Sequence, residues 1–265
     1  MVTTSQTPSK LPGTRPEGAR NEREAAARVK EMFGKIVPRY DFLNHLLSLS
    51  LDRVWRRRTA RRFSHVLHRP DARVLDLCCG TGDLAFALDR ERARALESHQ
   101  DAARRQIIGA DFVQPMLERA QGKAKMGRFA VAFSASDALS LPFEDAQFDL
   151  LTAAFGFRNL SNYEKGLREF ARVLKPGAEI GILEFSEPSA GLMAGIFRFY
   201  FRHVLPRIGR TLSGNPEAYA YLPASVSKFP SAGGLTAMME STGFSNVRVD
   251  SWNFGSVLLH SARRV

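Results

Sequence analysis

The sequence predicts an α/β fold: a Rossmann-like, mostly parallel seven-stranded sheet wound by helices, with a helical extension before its first strand. Three observations predict it. Residues 72–83 read ARVLDLCCGTGD, a short apolar run that ends in a glycine-bearing turn with a helical stretch directly after it. Four later runs, starting at Ile107, Phe129, Phe148 and Glu179, are apolar enough for buried strands and are separated by segments of helical character. Two more runs, 246–250 and 256–260, follow each other with no helix between them and read as an antiparallel hairpin. The 265 residues suffice for one such domain with additions, and a hydrophobic content of 44% is that of a globular core.

Taken in order, residues 1–20 hold no apolar stretch of signal-peptide type, and their prolines oppose a helix, so a disordered tail is expected. From Asn21 the residues Ala25, Val29, Met32, Phe33 and Ile36 share one helical face, and Pro38 is expected to stop that helix. A second helix is expected from Leu46 to Trp55, running into the arginines 53, 56, 57, 58, 61 and 62. These form either a solvated face or an attraction for lipid head groups or nucleic acid. The net charge of +11 favours anionic partners of any kind. Aromatic interleaving of the single-strand-binding type is missing, which weighs against nucleic acid. No apolar run reaches the ~18 residues of a membrane span. Cys78 and Cys79 are adjacent and offer neither an easy bridge nor metal-ligand spacing, so a reducing compartment is expected.

The turn at Gly80 and Gly82 carries the chemistry. Without Cβ atoms the backbone can bend sharply and let a cofactor lie against it, at the N-terminus of the next helix. Gly80 to Ala85 matches the dinucleotide pattern GxGxxA, which alone is a weak signal. Asp76, at the strand end before the glycines, separates the alternatives: a carboxylate suits the cationic aminopropyl-sulfonium part of S-adenosylmethionine and sits poorly beside a pyrophosphate. The stretch resembles motif I of class I methyltransferases, with Cys78 in place of the first glycine.

The segment 90–106 is charged and reads as a helix extension or surface insertion. Asp111 ends the second strand, where a carboxylate can accept bonds from ribose hydroxyls or cap the next helix. Asp137 and Ala138 follow the third strand, Phe129–Phe133, in position to meet an adenine amino group and ring, although an acid in a loop is often only a turn residue. The fourth strand ends in Gly156-Phe157-Arg158-Asn159, at the carboxyl edge where ligands bind in open parallel sheets. Arg158 and Asn159 are therefore candidates to stabilise a developing oxyanion. Glu184 is either a polar group turned to the crevice or an edge acid. Residues 192–205 are apolar on two helical faces, with His203 among them, and 214–230 is expected to be loop-rich.

With these residues in view, the chain from about Val29 onward resembles the UbiE/COQ5 family of quinone C-methyltransferases. Tyr40-Asp41-Phe42-Leu43-Asn44 with Ser48 and Trp55, Arg172 to Gly177 with Leu183-Glu184-Phe185-Ser186, and His203 to Gly209 carry the resemblance. It implies a class I methyltransferase domain over 71–265 with a helical insertion at 188–232, and a helical lid over 21–70. It implies S-adenosyl-L-methionine as methyl donor, no metal, and a polyprenylated quinol as substrate: a demethylmenaquinol, or a 2-methoxy-6-polyprenyl-1,4-benzoquinol, or both. Carried over by position, Thr81, Asp111, Asp137 and Ala138 match the family's cofactor contacts, joined by Asp76, Gly80, Gly82 and Tyr40. A serine contact of some members is Ala154 here, and a histidine before the signature tryptophan is Asp52. Arg158, Asn159 and Asp41 are the catalytic candidates, with His203 a weaker base. The expected setting is cytoplasmic, peripheral on the inner face of the membrane, without a nucleic-acid partner and compatible with a homodimer. An RNA methyltransferase, a nicotinamide-dependent reductase and a non-catalytic quinone binder are the competing classes.

Overall fold

The computed structural model describes residues 13–95, 106–188, 195, 199 and 216–265. Helices α1 (Glu22–Leu47), α2 (Leu51–Arg62) and α3 (Ser64–Leu67) precede β1 (Val74–Leu77) and α4 (Asp83–Ala93). Then come β2 (Ile107–Asp111), α5 (Gln114–Gly127), β3 (Val131–Ala135), β4 (Phe148–Ala154), α6 (Tyr163–Val173) and β5 (Leu174–Phe185). Helices α7 (Pro216–Lys228) and α8 (Ala232–Ser241) lead to β6 (Phe244–Trp252) and β7 (Val257–Arg264). The strands form one sheet in the order β3-β2-β1-β4-β5-β7-β6. The first five are parallel, while β7 runs antiparallel to both of its neighbours. The seven strands expected from the sequence are all present.

Burial explains the central strands. All four residues of β1 are buried, as are six of the seven in β4, because helices cover both faces. One face packs Leu75, Leu77, Leu151 and Ile182 against Leu167 and Phe170 of α6 and Leu235 and Met239 of α8. The other packs Val74 and Leu150 against Phe63, Leu67, Leu84 and Leu88. Strand order reverses between β1 and β4, which opens a crevice at their carboxyl ends.

Several local expectations are corrected. Helix α1 runs through Pro38 to Leu47. A proline inside a helix costs about 3 kcal/mol, and packing on both sides of it outweighs that penalty: Val37, Phe33 and Tyr40 join Val113 and Met116 in one apolar cluster. The second helix begins at Leu51 rather than Leu46, after a turn in which Leu49 and Ser50 take positive φ. The third strand starts at Val131, two residues late, and β5 begins at Leu174, before Lys175-Pro176-Gly177. Residues 216–228 are helical, with Pro223 inside, where a loop was expected. The chain is docked from Gly13 onward rather than free to residue 20: the Thr14 amide donates to the Leu160 carbonyl over 2.8 Å, and Thr14 is buried. The apolar stripes of 192–205 and the insertion 96–105 lie outside the described residues, apart from Gly195 and Phe199.

Candidate active site

A cleft enclosing about 790 Å³, its open mouth included, lies over the carboxyl ends of β1, β2 and β4. Its floor comes from the turn after β1, and one wall from α1 through Ala26, Val29, Phe33 and Tyr40. Cys78, Gly80, Asp111, Phe112, Asp137 and Ala138 face it from the cofactor side, and Phe155, Gly156 and Asn159 from the end of β4. The backbone makes this possible at two glycines. Gly80 has φ 54°, and a Cβ there would reach into the cleft 3.9 Å from the Tyr40 ring. At Gly156 a Cβ would stand 2.3 Å from the Cys78 Cβ, so only glycine lets the ends of β1 and β4 approach.

Two carboxyls sit under and beside that turn. Asp111 accepts from the Gly80 amide and the Val113 amide, each at 2.9 Å. Burial pushes its carboxyl up, against these bonds. Asp76 is fully buried beneath the turn and does not itself line the cleft; one oxygen accepts from the Thr152 hydroxyl at 2.7 Å and the other has no partner among the described residues. Burial raises its pKa to about 7. An orphaned buried carboxylate oxygen beside a glycine cradle fits a ligand that brings positive charge and hydrogen-bond donors, as S-adenosylmethionine does. Asp137 is exposed at the rim and accepts from the Leu139 amide at 2.9 Å. Burial also raises both thiols, Cys78 and Cys79, well above their ordinary range.

The expected catalytic residues separate. Asn159 faces the cleft, and its Oδ1 accepts from the Tyr221 hydroxyl at 3.0 Å. Its amide nitrogen has no bond among the described residues. Arg158 does not line the cleft. It is 5% exposed and pairs with Glu184 at 2.8 Å, its Nε donates to Ser225, and its guanidinium also reaches the Phe155 carbonyl. Glu184 accepts a second bond from the Arg158 amide at 3.0 Å, so it holds the whole turn. Asp41 lies outside the cleft as well. It accepts from the Thr81 hydroxyl, from Arg119 at 2.9 Å and from Lys123 at 3.3 Å, and so latches α1 to the motif turn and to α5. Burial works against its ionisation, but Thr81, Lys123 and Arg119 together hold its carboxyl below the ordinary value. Thr81 and Gly82 belong to this latch and to the α4 start, not to the cleft lining. His203 lies outside the described residues.

Sequence reasoning missed Phe33, Phe112 and Phe155, which give the cleft its aromatic lining, and the latch partners Arg119 and Lys123. The latch spans 78 and 82 residues of chain, so no local pattern announces it. His45, Asp52 and Asp83 each bring one ligand atom within 4.8 Å of the others. Arg56 and Lys123 already supply cations to those acids.

Solved structures with this fold include an S-adenosylmethionine-dependent methyltransferase from Thermotoga maritima. It matches 89% of this chain and 99% of its own at TM-score 0.60 and 16% identity. One from Aquifex aeolicus covers 73% and 82% of the two chains at TM-score 0.51 and 21% identity. The sheet order, the glycine cradle and the paired strand-end carboxyls define a class I S-adenosylmethionine-dependent methyltransferase. Among curated relatives, the demethylmenaquinone methyltransferase of Deinococcus radiodurans is 47% identical over 89% of this chain and 92% of its own. The enzyme of the same name from Thermus thermophilus is 46% identical over 88% and 100%. A ubiquinone/menaquinone biosynthesis C-methyltransferase from a Geobacter species is 40% identical over 85% and 91%. The family model described as the ubiE/COQ5 methyltransferase family matches residues 20–264, and the chain belongs to that family.

Proposed function

We propose that this enzyme C-methylates a polyprenylated quinol, turning a demethylmenaquinol into a menaquinol, with 2-methoxy-6-polyprenyl-1,4-benzoquinol as the alternative acceptor. The observation that carries the reading is the composition of the cleft: an aromatic and aliphatic wall from α1 lines it together with the glycine cradle and Asn159. The two relatives named for demethylmenaquinone, at 47% and 46% identity, support the naphthoquinol as first choice.

S-adenosylmethionine supplies an electrophilic sulfonium methyl. Asp76 and Asp111 offer negative charge and acceptors beneath it, and Ala138 and Asp137 flank the rim. On the acceptor side, a quinol hydroxyl gives up its proton to solvent. The neighbouring ring carbon of the phenolate takes the methyl as the S–CH3 bond breaks and S-adenosylhomocysteine leaves, and that carbon then loses its own proton to solvent as the ring regains aromaticity. With the Tyr221 hydroxyl bonded to Oδ1, the Asn159 amide N–H is the donor for the phenolate oxygen in this reading. Arg158 acts through position: its bonds to Glu184 and the Phe155 carbonyl hold the turn that presents Asn159. Helix α1 serves as a lid that excludes water, held closed by Asp41. The enzyme works at a membrane surface, where its substrate is dissolved.

The test is methyl transfer from labelled S-adenosylmethionine to a reduced demethylmenaquinol and, in parallel, to the methoxy-benzoquinol. Label in the naphthoquinol alone is expected; label in both marks a dual acceptor range. No label in either, with S-adenosylmethionine binding intact, overturns the quinol reading.

A further inference from the structure

The last turns of α1, the turn after it and the first residue of α2 carry bulky apolar side chains that the fold leaves in solvent. Phe42 is 61% exposed, Leu49 78% and Leu51 37%. Most large apolar groups among the described residues are at least partly covered, so three exposed within ten residues of one elbow call for an explanation. A fourth stands close by. Trp55, one helical turn after Leu51, donates its indole N–H to Asn253 at 2.7 Å. The next residue, Phe254, is 74% exposed and is held at φ 59°. The loop that carries it joins β6 to β7. Val257, the first residue of β7, pairs with Phe185 at the carboxyl end of β5, so Phe254 lies at the ligand end of the sheet. The elbow belongs to the same end, because Tyr40 lines the cleft and Asp41 grips Thr81.

Cations border these groups. Arg53, Arg57 and Arg61 follow the elbow at one-turn spacing on α2, all exposed, and Arg58 lies 5.9 Å from the Trp252 ring. Arg53 and Arg57 have no acidic partner among the described residues. They also edge a broad cleft between α2, α4 and α5 whose lining has seven Arg or Lys against three acids. The nearest acid of α2, Asp52, is buried and already bonded to Ser48, His45 and Arg56.

We propose that the α1–α2 elbow, together with the β6–β7 loop, is the rim by which the enzyme docks on an anionic lipid surface. Phe42, Leu49, Leu51 and Phe254 insert at the level of the head groups, and the arginines of α2 meet lipid phosphates. A small apolar cluster bordered by cations fits an interface of that kind; a second copy of the chain would be met by a broader apolar patch with few charges. The rim and the cleft lie at the same end of the sheet, which gives a quinol a short path from the bilayer to the cleft. The inference rests on the quinol reading and names the surface that serves it.

Co-sedimentation of the full chain with vesicles tests the rim. Phosphatidylcholine vesicles are compared with vesicles that also hold phosphatidylglycerol, at low and high salt. Wild type is expected to bind the anionic vesicles about tenfold more than the neutral ones, less so at high salt. The Leu49→Ser/Leu51→Ser and Arg53→Glu/Arg57→Glu variants are expected to lose about tenfold or more of that binding. Phe254→Ser, remote in sequence, should also lower it, which separates docking from a local folding fault at the elbow. Methylation of a short-tailed, water-soluble quinol should be unchanged in all three. Vesicle binding equal to wild type in the leucine and arginine variants overturns the rim. So does a leucine variant that turns a dimer into a monomer while still binding vesicles. Loss of short-tailed quinol methylation by wild type, with docking intact, sinks the substrate reading and leaves the rim standing.

Discussion

At the scale of single residues, Asn159 and Arg158 share a turn but have different work. If Asn159 supports the acceptor as proposed, Asn159→Ala removes that amide donor, and kcat is expected to fall about 100-fold with little change in the KM for S-adenosylmethionine. Steady-state methyl transfer checks this. Glu184→Gln leaves Arg158 buried without its counter-charge, and a loss of about 3 kcal/mol is expected, read as a lowered melting temperature. Asp76 links pH to stability. In the unfolded chain it ionises near 3.8, whereas in the ligand-free fold it holds its proton up to about 7. The stability it contributes is therefore complete below the first value and lost as pH rises toward the second. Asp76→Asn is expected to flatten the fall in melting temperature across that window, and to weaken S-adenosylmethionine binding at neutral pH. A pH series of thermal melts with a cofactor titration measures both. That Gly80, Asp111 and Asn159 line the cleft was legible in sequence, because the position of strand ends follows from local pattern. The burial of Arg158 was not: its partners Glu184 and Ser225 come from β5 and α7, and nothing near residue 158 announces them.

At the scale of elements, α1 is the case in which tertiary contacts override local preference. The proline rule ends the helix at 38, yet the helix continues because its far half is wanted twice, by the cleft through Tyr40 and by the latch through Asp41. Lys123→Ala removes a cation that bonds Asp41, Thr81 and Asp83 together. Amide exchange of residues 22–47 is expected to quicken, with a several-fold rise in the KM for S-adenosylmethionine. Hydrogen exchange on the ligand-free and loaded enzyme measures the first. Acid should act in the same direction. The Asp41 carboxyl lies below its ordinary value, so the latch is intact at neutral pH and fails only when pH drops through that lowered value. The helix α7 was missed for the complementary reason. Its prolines and small residues lack a helical stripe, while its bonds from Tyr221 to Asn159 and from Arg158 to Ser225 are long-range.

At the scale of the whole molecule, strand count, strand direction and the position of the cleft were readable because each depends on short apolar runs and the turns between them. Strand order at the far edge was not. The last strand, β7, inserts between β5 and β6 and contacts both along nearly its full length. In a growing chain β5 therefore waits for its neighbour while residues 186–256 are being made. At ribosomal speeds that interval is on the order of ten seconds. Throughout it, the apolar edge of β5 is open to pairing with any extended segment nearby, including the same edge of another nascent chain on the same messenger. The yield of folded enzyme is thus set by a race between elongation and mispairing, and slower collisions, from weaker expression or holdase chaperones, shift it toward the folded form.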